Sequence, residues 1–219
     1  MSDVAAPLDL GPAGFDRAVG ATAERREMLE VFRRQLVEAN SEMNLVGAST
    51  LEVFWTRHYV DSAQLLLIAP EARTWADLGA GAGLPGLVLA ILLKGQAGVK
   101  VHLVESMAKR CRFLEAVATR LDLPVEIHNA RAESLRLKVD VVTARACAPL
   151  DRLLGFARPY MALGARGVFL KGADAAAEIA EARKLWRFTV QTRDSLSDSR
   201  GQVLLIDALS KGRIGAVRA

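Results

Sequence analysis

The chain has 219 residues, 51% apolar and 25% charged, enough to bury one sizeable core without a disulfide or metal staple. Cys111 and Cys147 sit far apart in neither a CxxC nor a Cys/His spacing, which predicts reduced thiols, no metal and a cytoplasmic setting. The net charge of +4 is uneven: residues 1–60 hold six Arg against nine acidic residues, so the remainder is basic, which suits RNA but is also common in enzymes without a nucleic-acid role.

No basic start followed by an apolar run opens the chain, so no signal peptide is expected. Residues 1–16, with Pro7, Gly11, Pro12 and Gly14, read as a frayed arm. Residues 17–39 are helical, with Met28, Phe32, Leu36 and Ala39 on one face and Asn40-Ser41 as the stop. A second helix is expected over 51–69, ended by Pro70. Strand–helix alternation follows. Residues 74–78 form a short strand, and 85–93 a helix apolar on all sides. That stretch, from Leu84 on, is the longest apolar run and is well short of the ~20 residues of a membrane span, so no membrane is expected.

Strands are then expected at 99–105, 125–128 and 139–144, with an amphipathic helix at 107–121. A helix at 150–158 stops at Pro159, and a strand at 167–171 precedes a helix at 174–185 capped by Asp174. Two last strands, 187–192 and 202–208, flank a polar turn at 194–201. This order predicts an α/β fold with a mostly parallel seven-stranded sheet, a C-terminal antiparallel hairpin and an N-terminal helical extension. The expected division is an arm and helical extension at 1–70 and one compact unit at 71–219.

The sharpest feature is the loop Asp77-Leu78-Gly79-Ala80-Gly81-Ala82-Gly83-Leu84-Pro85-Gly86, between a strand and a helix. Such a loop, at the carboxyl end of a strand, is where open α/β sheets bind ligands. Gly81, Gly83 and Gly86 satisfy GxGxxG, so a dinucleotide must be weighed. A pyrophosphate needs free N–H groups at the helix start, and Pro85 removes one there. Asp77 would repel a phosphate but suits the ammonium of S-adenosylmethionine (SAM). Glu105 closes the second strand, where a carboxylate can accept both ribose hydroxyls, a demand that NAD and SAM share. After the third strand, Ala132 and Glu133 are candidates for the adenine edge.

Arg145 ends the fourth strand, where its planar fork could hold a phosphate or a guanine O6. Lys171, ending the fifth, is a similar candidate. The chain has Arg-Ala-Cys-Ala-Pro where exocyclic amine methylation usually brings an Asn/Asp-Pro-Pro-aromatic turn. Cys147 lacks a preceding Pro and a second supporting cysteine, which favours a structural thiol over a C5-pyrimidine nucleophile. A ring nitrogen such as guanine N7 has a lone pair and no proton, so its methylation needs positioning rather than a general base. An NAD-linked oxidoreductase and a non-catalytic ribosome assembly factor remain the alternatives.

The stretches NSEMNLVG (40–47), Arg57-His58 through Asp61-Ser62, the loop at 77–87, LVESMAKRCRFL (103–114), Arg131–Glu133, Thr143–Ala146 and Lys171-Gly172 occur in one order across residues 25–210. On these the chain resembles the RsmG/GidB family of 16S ribosomal RNA guanine-N7 methyltransferases. The resemblance implies a Rossmann-like class I SAM-dependent methyltransferase acting as a monomer, with 16S rRNA as partner, naked or within the small ribosomal subunit, and a guanine of the decoding region as target. It implies SAM contacts at Gly79, Leu84, Ala132, Glu133 and Arg145, with Glu105 on the ribose. It places Asn44, Arg57, His58 and Lys171 at the RNA-facing rim, although Asn44 could equally shape a turn and His58 could equally be a packed core residue. Ala80 and Leu84 depart from the Ser and Phe usual in the family's loop and leave its glycines intact.

Overall fold

The computed structural model describes residues 11–212, so the first ten residues of the expected arm lie outside it. In chain order it contains α1 (Gly11–Val19), α2 (Ala23–Met43), α3 (Asp61–Ile68), β1 (Thr74–Leu78), α4 (Gly86–Leu93), β2 (Lys100–Glu105) and α5 (Ala108–Leu121). There follow β3 (Val125–Asn129), β4 (Val141–Arg145), α6 (Leu150–Met161), β5 (Arg166–Lys171), α7 (Ala175–Leu185), β6 (Trp186–Asp194) and β7 (Gln202–Lys211). Strands β1, β2, β4 and β5 are buried almost throughout rather than at alternate residues, as strands covered on both faces must be.

The seven strands join one mostly parallel sheet with an antiparallel C-terminal hairpin, as expected; their order is β3-β2-β1-β4-β5-β7-β6, with β7 antiparallel to β5 and β6. The order reverses between β1 and β4, which opens a crevice at their carboxyl ends. One hydrophobic cluster joins Phe32 and Leu36 of α2 and Leu65 of α3 to Leu87 and Val88 of α4 and to Trp75 and Val101 of the sheet. The opposite face packs Leu153, Leu154 and Ala157 of α6 and Ala182 of α7 on Val142, Phe169 and Leu204. No helix among the described residues is long and apolar enough to cross a membrane.

Departures from expectation cluster at the N-terminal end. Residues 11–19 are helical rather than frayed, because Phe15 is fully buried against the rings of Trp55 and Tyr59, at 5.3 and 6.3 Å between centroids. The helix expected over 17–39 is split at Gly20, whose φ is +67°, and restarts behind Thr22, whose hydroxyl accepts the Arg25 N–H. Asn40 does not stop α2, which runs to Met43. Its carbonyl accepts the Asn44 N–H and its Oδ1 the Val46 N–H, tying down the chain beyond the helix.

The helix expected over 51–69 is a short turn, a wide π-helical segment at Trp55–Val60, and then α3. Pro159 does not end α6 but sits in its last turn, with two helical residues beyond it, and buried Tyr160 holds that end by donating its hydroxyl to the Ala132 carbonyl at 3.0 Å. Asp174 stands at the N-cap of α7 but makes no side-chain capping bond; the Ala175 N–H bonds the Gly172 carbonyl instead.

Candidate active site

The glycine loop is fastened to the end of β2, where the Val104 carbonyl accepts the N–H groups of Gly79 (2.8 Å) and Ala80 (3.0 Å). Gly79 has φ +68°, and a Cβ there would lie 2.7 Å from Cys147 Sγ, so only glycine lets the loop close onto the start of the β4–α6 connection. At Gly86 a Cβ would meet Leu103 at 2.3 Å and Asp77 Oδ2 at 2.8 Å; its absence lets α4 start directly over Asp77. Asp77 is fully buried beneath the loop, its Oδ2 accepting the Gly86 N–H at 2.8 Å. Glu105 braces the loop from the other side, accepting the Gly81 N–H at 3.1 Å and the Met107 N–H at 2.8 Å, with Arg110 3.9 Å away.

These contacts decide between phosphate and ammonium. At the start of α4 the Gly86 N–H is taken by Asp77 and the Leu87 N–H by the Gly83 carbonyl, so neither is free for a pyrophosphate. Asp77 Oδ1, in contrast, is a buried acceptor with no partner, and burial above all raises this carboxyl to about 7. An unmet anionic acceptor under a glycine cradle, with a strand-end carboxylate beside it, fits a cationic amino-acid-bearing nucleoside. Besides the two N–H groups Glu105 takes only a long bond from the Ser106 hydroxyl (3.5 Å), so lone pairs remain on it for a ribose hydroxyl.

Beside the loop, a cleft of about 680 Å³ opens at the carboxyl ends of β4 and β5. Arg145 is its hub. Through Nη1 it donates to the Arg57 carbonyl at 3.1 Å and to His58 Nδ1 at 2.9 Å, and meets Asp61 Oδ2 at 3.4 Å. All these contacts run through one nitrogen, which leaves the Nη2 and Nε sides of the fork for a ligand. The widened π-helical turn offers its Arg57 carbonyl to this bond.

A guanidinium cannot accept, so His58 Nδ1 must, and the imidazole proton sits on Nε2. Nε2 therefore donates to Thr50 Oγ1 at 2.9 Å, and the Thr50 hydroxyl in turn donates to the Gly47 carbonyl at 2.6 Å. Burial, and then the charges of Arg145 and Arg57, lower His58 to about 3, so it stays neutral. Asp61 Oδ1 accepts from Ser197 (2.6 Å), Gln64 (3.1 Å) and Ser195 (3.4 Å), docking the β6–β7 turn against α3, while Arg57 reaches Asp198 at 3.4 Å.

The structure thus brings Arg57, His58, Arg145 and Lys171 around one cleft, and Asp77, Gly79, Gly81 and Glu105 around the adjoining loop. Lys171 is tied to Glu178 of α7 and to the Ala148 carbonyl at 2.9 Å. Leu84 is 4% exposed within the core cluster. Ala132 and exposed Glu133 lie on a short turn after β3, where the Ala132 carbonyl is occupied by Tyr160. Asn44 is the left-handed cap of α2 (φ 48°), exposed, and next to rather than among the cleft residues. Asp61, Thr50 and Ser197 were missed as network members; Asp61 had a signal in its spacing from Arg57-His58, Ser197 none short of the fold.

Comparison with known proteins is consistent with this geometry. The family described as GidB, rRNA small subunit methyltransferase G, matches residues 25–205. A Caulobacter vibrioides protein named Ribosomal RNA small subunit methyltransferase G is 63% identical over 204 residues, covering 93% of this chain and 94% of that protein. The fold is similar to that of a SAM dependent methyltransferase from Aquifex aeolicus, with TM-score 0.54 and 12% identity over 80% of this chain and 96% of that one. It is also similar to a mutant of MtNAS in complex with S-adenosylmethionine, with TM-score 0.52 and 15% identity over 90% and 83% of the two chains.

Proposed function

Since the chain belongs to the GidB family, rRNA small subunit methyltransferase G, we propose that it places the methyl group of SAM on N7 of a guanine in the decoding region of 16S rRNA, working as a cytoplasmic monomer. The enzyme class, a SAM-dependent rRNA methyltransferase, follows from the family. Bound SAM supplies an electrophilic methyl on a cationic sulfur. The protein's task is to hold that group and a base in line. In this reading the Gly79 and Gly81 backbone and the Leu84 side chain shape the cradle, and Asp77 draws the ammonium. Glu105 takes the ribose hydroxyls, and Ala132 and Glu133 meet the adenine edge.

The observation that carries the N7 reading is that the imidazole, carboxylates and ammonium lining the cleft are already paired, and its one thiol is held protonated. His58 has both ring nitrogens engaged. Asp61 is saturated by Arg145, Gln64 and two serines. Lys171 is paired with Glu178. Burial pushes the Cys147 thiol up to about 11, so it is no ready nucleophile. Such a cleft can orient a base but has no acceptor for a proton, and a guanine N7 has none to give. The unused side of the Arg145 fork can hold the neighbouring O6 or a phosphate. Arg57, His58, Lys171 and Asn44 form or border the RNA-facing rim, with His58 acting through Arg145.

The test is incubation of small subunits lacking the modification, and of naked 16S rRNA, with methyl-labelled SAM. One methyl per rRNA, mapped by cleavage at 7-methylguanine, is the expected result. Tight subunit binding without transfer would instead make the chain an assembly factor.

A further inference from the structure

Two of the three histidines lie far from the cleft, at the β3 edge of the sheet. His102 on β2 pairs in register with Glu126 on β3, and His128 stands two residues further along β3. Side chains two apart on a strand share a face, so all three project from the same side of the sheet. His102 Nδ1 and His128 Nε2 are 3.0 Å apart, His102 Nδ1 and Glu126 Oε2 3.8 Å, and His128 Nε2 and Glu126 Oε1 3.6 Å. Ligand atoms bound at ~2.0–2.1 Å around a tetrahedral ion are about 3.3 Å from one another. The two ring nitrogens lie just inside that value and a carboxylate oxygen lies just beyond it from each; one ligand atom from each of the three residues falls within 4.8 Å of the others. The imidazoles are mostly buried, with side chains 11% and 15% exposed, whereas that of Glu126 is 44% exposed and keeps a way in from solvent.

We propose that His102, Glu126 and His128 form a site for a late first-row divalent cation, Zn2+ foremost, with water completing the shell. Two imidazoles and one carboxylate suit Zn2+ and its neighbours and are a poor set for Mg2+ or Ca2+. The proton now shared between the two rings moves to a distal ring nitrogen on binding, so both facing lone pairs become donors to the metal. The Lys100 ammonium, paired with Glu126, competes for the carboxylate and weakens the site. The ion ties the edge strand β3 to β2 three residues before Glu105, behind the turn that carries Ala132 and Glu133. The metal-free expectation drawn from the cysteines did not see this site, because its ligands come from two strands that only the sheet brings together.

The experiment uses the full chain, stripped by a chelator and titrated with Zn2+ and with Co2+. One-to-one Zn2+ uptake with a rise in unfolding temperature is expected, as is a Co2+ spectrum without a thiolate charge-transfer band, which separates this site from Cys111 and Cys147. His128→Ala and His128→Gln should each weaken binding at least tenfold, and Lys100→Met, which leaves every ligand in place, should tighten it. No stoichiometric binding below about 100 µM, a thiolate band, or unchanged affinity in both His128 variants would overturn the site. Binding to Lys100→Met no tighter than to the parent would remove Glu126 from it and so overturn the proposed ligand set.

Discussion

Burial with one oxygen left unpartnered raises the Asp77 carboxyl from 3.8 to about 7, against the pull of the Gly86 N–H and of Arg145. A folded-state value above the unfolded one means that the native state favours the proton. Asp77 thus contributes stability in full below about pH 3.8 and loses it as pH rises through about 7. His58, lowered from 6.5 to about 3, runs the other way, its contribution present above pH 6.5 and lost as pH falls toward 3. Urea unfolding of Asp77→Asn against wild type at a series of pH values should show the variant gaining relative stability up to about pH 7. Parallel curves would contradict a burial-strained carboxylate.

Asp77 also draws the ammonium in the reading proposed above, so SAM affinity should fall as pH drops below about 7, and the same substitution should abolish that dependence. At Arg145 the expectation concerns transfer. Arg145→Ala should lower single-turnover methylation about 100-fold or more with SAM binding much less affected, and Arg145→Lys should not rescue it, because an ammonium lacks the fork. Unchanged turnover would take Arg145 out of the site. The placement of Arg145 and Lys171 at one cleft was partly legible, since both end strands of a recognisable series. That Arg145 spends one nitrogen inward on Arg57, His58 and Asp61 was not, because its partners lie more than eighty positions away in sequence.

Among the elements, the β6–β7 turn is held on α3 by a few polar contacts, of which the Ser197–Asp61 bond is the shortest. Ser197 is 4% exposed and donates to Asp61 Oδ1 at 2.6 Å, so Ser197→Ala should cost roughly 1–3 kcal/mol, read by denaturant unfolding. A cost near zero would mean that the turn is held elsewhere. Elements whose apolar pattern is set by the sheet were legible to within one or two residues, as for β1, α4 and α5. Those set by tertiary contact were not. The segment before α3 reads as an uninterrupted helix, yet it widens where Phe54, Trp55 and Tyr59 pack edge-on and where Arg145 takes the Arg57 carbonyl. Helix α1 looked frayed because a run rich in Pro and Gly conceals one buried anchor, Phe15.

Across the whole molecule, one sheet unites the parts. Its reversal between β1 and β4 sets the glycine loop beside the Arg145 cleft, and the N-terminal helices close that cleft through Asp61 and His58 while sharing their hydrophobic cluster with α4 and the sheet. The mostly parallel seven-stranded sheet, its closing hairpin and the loop could be read from the sequence alone; the strand order could not. The committed state of the cleft's titratable groups could not, and that state bears the weight of the N7 assignment. The most direct measurement is therefore digestion of the methylated rRNA to nucleosides, with the label followed by chromatography and mass. Label confined to 7-methylguanosine is the predicted result. Label in an exocyclic methylguanosine or in 5-methylcytidine would mean that a base or a thiolate acts in this cleft after all, and would contradict the account.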